Sequence, residues 1–178
     1  MNKLFKTLSF LAVIALLMTA CGQAVQAAGS ADNYQAVLGK SITNREVANF
    51  ITSNKCSSDG PFQLCKNTGI ALWLDSDQTV RSVYLYPTGT DSFVAYKGTL
   101  PLGLAANDTM ATIERKFGQP QIAQAPQAGW ESGLPEEGAS PDHVHYWAIY
   151  KRFGVTIVYN SPLPNDQNAT IYALIVNK

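Results

Sequence analysis

The chain has two histidines, and both fall in the stretch Ser140-Pro141-Asp142-His143-Val144-His145-Tyr146-Trp147. On an extended strand, positions two apart share a face. His143 and His145, with Asp142, therefore form a candidate metal site, which Glu136 or Glu137 would have to complete. The bland alternative is a polar strand edge beside a loop. The same three residues are the candidates for a hydrolase, since any Ser–His or Cys–His arrangement must use one of these histidines. No G-x-S-x-G, H-E-x-x-H or glycine-rich phosphate loop occurs. The chain is read as non-enzymatic, with no metal and no cofactor expected.

These residues are set in a chain of 178 residues, long enough for one domain. It carries 13 basic and 13 acidic residues, with 46% hydrophobic and 15% charged. That balance excludes a disordered chain and a protein held to nucleic acid by bulk charge. A helix is expected at the capping box Thr43-Asn44-Arg45-Glu46, with Thr43 as N-cap and Glu46 reaching back. Val47, Phe50 and Ile51 then share its apolar face. Strands are expected at residues 69–74, 80–86 and 92–97, separated by the turns Asp75-Ser76-Asp77-Gln78 and Pro87-Thr88-Gly89. The order then repeats. Asn107-Asp108 would cap a second helix with Met110, Ala111, Ile113 and Phe117 as its stripe, stopped at Gly118-Gln119-Pro120. Three more strand-like runs follow at residues 145–151, 154–160 and 170–176. Asn44, Val47, Ala48 and Phe50 align with Asn107, Met110, Ala111 and Ile113. Gly69, Ile70, Leu72 and Leu74 align with Gly154, Val155, Ile157 and Tyr159. The expected fold class is α+β. It comprises two α-β-β-β pseudo-repeats, about residues 34–98 and 99–178, with helices packed on antiparallel sheet in one domain.

The N-terminus reads MNKLFKTLSFLAVIALLMTAC. Lys3 and Lys6 precede a nearly unbroken apolar run over residues 8–18. The run is too short for a bilayer span of about 20 residues and fits a secretory signal, placed at residues 1–20. Met18-Thr19-Ala20-Cys21 resembles the lipobox of bacterial lipoproteins, with Met18 where leucine is usual. The resemblance implies cleavage before Cys21 and lipidation of its thiol. It also implies a membrane partner held through the acyl chains, at about 0.8 kcal/mol per buried CH₂. Gly22, not Asp, follows the cysteine. In enteric-type bacteria an Asp there resembles an inner-membrane retention signal, so the resemblance implies the outer membrane, facing the periplasm. Residues 21–33, small and polar, suit a flexible tether.

With Cys21 lipidated, Cys56 and Cys65 remain. Asp59-Gly60-Pro61 between them is a turn signal, and an exported compartment is oxidising. The two are expected to form a structural disulfide. A redox-active pair would want the closer C-x-x-C spacing, and a zinc site would need further ligands.

The segment from Leu102-Gly103-Leu104 to Phe117-Gly118-Gln119-Pro120 resembles the helical element of small exported bacterial proteins. These are the outer-membrane assembly lipoproteins once called small protein A, and the tandem-repeat β-lactamase inhibitor proteins. The likeness implies a short helical unit packed on antiparallel sheet and a habit of protein binding. The loop over residues 118–142 holds four prolines, four glycines and three glutamates (Glu131, Glu136, Glu137) together with Trp130. Loops of that length tend to be functional or disordered. Trp130 is either tucked onto the domain or a partner contact. Tyr84, Tyr86, Tyr96, Tyr146 and Tyr150 fall on expected strands, either half covered by helices or forming an aromatic sheet face that binds a partner. The reading is of a lipid-anchored, non-enzymatic binding or envelope-assembly protein facing the periplasm. Its expected partner is another envelope or exported protein. A second reading is an inhibitor or immunity-type protein that blocks an exported enzyme or toxin. The hydrolase built on Asp142, His143 and His145 is a third.

Overall fold

The computed structural model describes residues 31–90, 92–125 and 144–178. The alternating runs pair into one antiparallel sheet of eight strands. These are β1 (Ser57–Asp59), β2 (Phe62–Cys65), β3 (Ile70–Leu74), β4 (Val80–Leu85), β5 (Ile122–Gln124), β6 (Tyr146–Tyr150), β7 (Val155–Tyr159) and β8 (Ile171–Asn177). The order across the sheet is β1-β2-β3-β4-β8-β7-β6-β5. Two short helices accompany it, α1 (Arg45–Ser53) and α2 (Met110–Phe117). Among the described residues no helix is long and apolar enough to cross a membrane.

This corrects the expected α+β arrangement of helices packed on three-stranded meanders. The molecule is chiefly a sheet, and the two helices are minor elements of eight or nine residues. Each half contributes four strands, and the halves fuse where β4 pairs with β8, from Ser82↔Asn177 to Leu85↔Leu174. Two strands lie where no apolar alternation marks them. β1 is Ser-Ser-Asp and wholly exposed. It forms because Gly60, at φ +54°, turns the chain straight back and registers Asp59 opposite Phe62. β5 lies inside the stretch taken as loop and pairs with β6 from Ile122↔Ile149 to Gln124↔Trp147. Conversely, residues 92–97 form no strand. The Val94 N–H donates to the Lys66 carbonyl and the Tyr96 N–H to the Tyr86 carbonyl, each at 2.9 Å. This segment lies over the start of β3 instead of extending the ladder.

The helix starts also differ from the expectation. Asn44, not Thr43, caps α1, its side-chain oxygen accepting from the Glu46 N–H at 2.9 Å. Thr43 is turned to Ser41, and Glu46 pairs with Lys40 instead of reaching back. Thr109 caps α2 by accepting from the Thr112 N–H at 3.3 Å. Asp108, one residue earlier, accepts from the Ala105 N–H and from Lys116.

One sheet face carries the main core. Ile70, Leu72 and Leu74 alternate inward on β3, and Val83 and Leu85 on β4. Ile157 and Tyr159 do so on β7, all with Leu174 in the same apolar cluster. Val47 and Phe50 of α1 and Met110 and Ile113 of α2 complete it. Each such side chain contributes roughly 1.5–3 kcal/mol when fully buried.

Cys56 and Cys65 are joined by a disulfide that closes the β1–β2 hairpin at its open end. A loop of this size loses enough unfolded-state entropy to stabilise the fold by roughly 2–3 kcal/mol. Reduction is expected to lower the urea midpoint accordingly while the protein stays folded at room temperature. An unchanged midpoint would mean that the hairpin is held by its ladder alone.

Candidate functional site

The second sheet face follows from the same alternation. Residues out of phase with the core must point the other way. On β2 and β3 these are Phe62 and Trp73, which stand opposite each other. On β4 they are Ser82 and Tyr84, facing Asn177 and Ile175 of β8. Thr156 and Val158 on β7 face Ile175 and Ala173, and Trp147 on β6 faces Val158. A second apolar cluster results, with Val158, Ala173 and Ile175 buried and Tyr84, Tyr86, Trp147 and Tyr172 half-buried around them.

Two pairs of rings on this face meet edge to face, as their quadrupoles favour. Phe62 and Tyr84 lie 5.8 Å apart between centroids, and Tyr86 and Tyr172 6.2 Å. Phe93 stacks on Tyr86 at 4.4 Å. Burial raises the Tyr84 phenol above its ordinary pKa, so it stays protonated and able to donate. Two adjoining cavities open between the rings. One, of about 310 Å³, is lined by Phe62, Tyr84, Tyr86, Trp147, Val158, Tyr172 and Ala173. The other, of about 420 Å³, shares Phe62, Tyr84 and Trp147 and runs on past Trp73 and Ile149 to a polar end. There the Ser82 hydroxyl donates to Asn177 Oδ1 at 2.8 Å, and Asn177 Nδ2 donates to Thr156 Oγ1 at 3.4 Å. Both volumes lie at the lower end of the range for ligand pockets. Trp147 sits between them, and its Nε1 is buried with no hydrogen-bond partner. An indole N–H is a donor only, and leaving it desolvated and unpaired costs about 1–3 kcal/mol.

The expected tyrosine set divides between the faces. Tyr84 and Tyr86 belong to this one. Tyr96, Tyr146 and Tyr150 are buried in the main core. Burial, then the nearby charge of Glu114, pushes the Tyr150 phenol up to about 12. Tyr159 is raised further, with burial again the first cause. These inner phenols stay neutral and serve packing. The residues that sequence reasoning missed are Phe62, Trp73, Trp147 and Tyr172. The signal for the two tryptophans was present, since each is out of phase with the core residues of its own strand. Strands apolar on both faces hide that phase in a continuous run.

His145 is half-buried and stacks on Tyr172 at 3.9 Å, at the margin of the aromatic face. Asp142, His143, Glu136 and Glu137 lie outside the described residues, as do Trp130, Cys21 and the lipobox. Among the described residues no group of three metal-ligating side chains comes together. Compared with protein-family models, curated proteins and solved structures, the chain matches none.

Proposed function

We propose that the chain is a non-enzymatic binding protein that holds another envelope or exported protein on its aromatic sheet face. The observation that carries this is the pair of adjoining aromatic cavities sharing Phe62, Tyr84 and Trp147. Clefts lined mainly by aromatic side chains with a few polar groups are the usual form of a binding site, and tryptophan and tyrosine are the side chains that most often anchor interfaces. The lipobox-like Met18-Thr19-Ala20-Cys21 supports export, lipidation at Cys21 and a location on the outer membrane facing the periplasm. The disulfide fits an oxidising compartment.

The test is photocrosslinking in the living cell, from a benzoylphenylalanine placed at Phe62 in the full chain. A discrete crosslinked protein is expected from position 62, not from a control probe at the exposed Arg45, and not when Cys21→Ser keeps the chain from its membrane. Equal crosslinking from both positions, or none from position 62, would overturn the reading. An envelope-assembly protein as the crosslinked species supports the assembly role, and an enzyme or toxin the inhibitor role.

A further inference from the structure

We infer that the basic corner where the C-terminal end of α2 meets the turn between β6 and β7 rests on an anionic lipid surface. The inference makes no use of the aromatic face. It draws on the reading of the chain as lipid-anchored only in that an anchor at Cys21 would keep this corner within reach of a membrane.

The corner is built from two short pieces. α2 ends in Arg115, Lys116 and Phe117, and the 3₁₀ turn Lys151–Phe153 supplies two further cations and a second ring. The pieces meet ring to ring, with the Phe117 and Phe153 centroids 5.3 Å apart. The Arg152 guanidinium stands 4.6 Å from the Phe153 centroid. A Cβ added to Gly118, just past α2, would lie 3.6 Å from the same guanidinium. Arg115, Lys151 and Arg152 are exposed and, among the described residues, enter no ion pair. Lys116 pairs with Asp108 at 2.8 Å, and Glu114 accepts from the Gln167 amide at 3.4 Å. Phe153 stays 37% exposed, beside three cations whose charge no neighbour answers.

The fold itself does not call for this composition. In the alignment of the two halves, Thr52, Ser53 and Asn54 stand where the second half has Arg115, Lys116 and Phe117. The matching 3₁₀ turn is Lys66–Thr68, which leads into Gly69 as Lys151–Phe153 leads into Gly154. At these six positions the first half has one cation and no ring, and it builds the same elements.

The charges call for an anionic partner, and the ring decides which kind. At a membrane interface, lipid phosphates meet the cations while an aromatic ring settles at headgroup level. Each Lys or Arg near an anionic surface adds to the attraction, and their long stems let the charged heads reach the phosphates. An acidic protein would answer the charges and leave the ring in water unless it also brought an apolar pocket to the same spot.

The experiment holds the full chain on vesicles by coupling Cys21, the one cysteine outside the disulfide, to a maleimide lipid. Failure of lipidation in the cell is thereby kept apart from failure of this inference. Benzoylphenylalanine replaces Phe153, and crosslinks to lipid are read by mass spectrometry. The vesicles are phosphatidylcholine alone or an equal mixture with phosphatidylglycerol. Lipid crosslinks are expected on the mixture, at least about fivefold fewer on phosphatidylcholine, and fewer on the mixture in high salt. A probe at Arg45 should give few on either. Replacing Arg115, Lys151 and Arg152 together by Gln should bring the yield on the mixture down to that on phosphatidylcholine, with the melting temperature unchanged because all three are exposed. Equal yields on the two vesicles, no lipid crosslink from position 153, an equal yield from position 45, or an unchanged yield in the folded triple variant would each overturn the inference. So would a discrete protein crosslinked from position 153 in the living cell, which would assign the corner to an acidic protein instead.

Discussion

Gly69→Ala is expected to lower the stability of the fold by at least about 3 kcal/mol. Gly69 ends the short 3₁₀ turn Lys66–Thr68 with φ +72° and launches β3. A methyl group there would stand 2.5 Å from the Val94 carbonyl oxygen, 2.6 Å from the Tyr96 nitrogen and 2.9 Å from the Tyr96 Cα. All three are backbone atoms, so no flexible side chain can yield. The segment following β4 would have to lift. It would strain or lose the hydrogen bonds Val94 N–H to Lys66 carbonyl and Tyr96 N–H to Tyr86 carbonyl, and would partly withdraw the buried Tyr96.

Gly154 is the natural comparison. It ends the 3₁₀ turn Lys151–Phe153 before β7 with φ +64°, but its nearest neighbour would be the Asn177 carbonyl oxygen at 3.5 Å, an ordinary contact. Gly154→Ala should cost only the left-handed conformation, about 1 kcal/mol. Urea unfolding of both variants, at equal slope, checks the difference. Equal losses would show that the close approach at Gly69 relaxes freely.

Phe50→Ala is expected to cost about 3–5 kcal/mol, the usual range for removing a fully buried ring. Phe50 is 1% exposed and, with Val47, is one of the two buried anchors of α1. A helix of nine residues is too short to hold itself, so its order depends on docking. Its other supports survive the substitution. The Phe50 carbonyl still accepts from the Asn54 backbone N–H and side-chain amide, and Asn44 still caps the first turn. The loss therefore reports burial rather than helix formation. The measurement is the shift of the denaturation midpoint against that of Ile51→Ala, half-buried on the same helix, which should lose much less. A loss below about 1 kcal/mol for Phe50→Ala would mean that the apolar cluster is stable without this ring.

Much of this molecule is legible in its residues. The short apolar run Ile70-Ala71-Leu72-Trp73-Leu74 and the β-branched run over residues 155–159 mark strands by their length and composition. Val47 with Phe50, and Met110 with Ile113, mark helices by a period near 3.6. Cys56, Cys65 and the Asp59-Gly60-Pro61 turn between them are enough to suggest a bridge.

Three matters were decided only in the folded chain. β1 and β5 are strands because neighbours offer them ladder partners, not because Ser57-Ser58-Asp59 or Ile122-Ala123-Gln124 prefers to extend. Residues 92–97 have strand composition, yet their N–H groups find acceptors in a turn and at the end of β4. The aromatic face exists because β4 pairs with β8 and joins two halves into one surface, bringing Phe62 and Trp147 to the same cavities from strands 85 positions apart in the chain. Periodicity is a local property and states which residues share a face. Which distant strands complete each face depends on backbone hydrogen bonds between residues far apart in sequence, which no local pattern encodes.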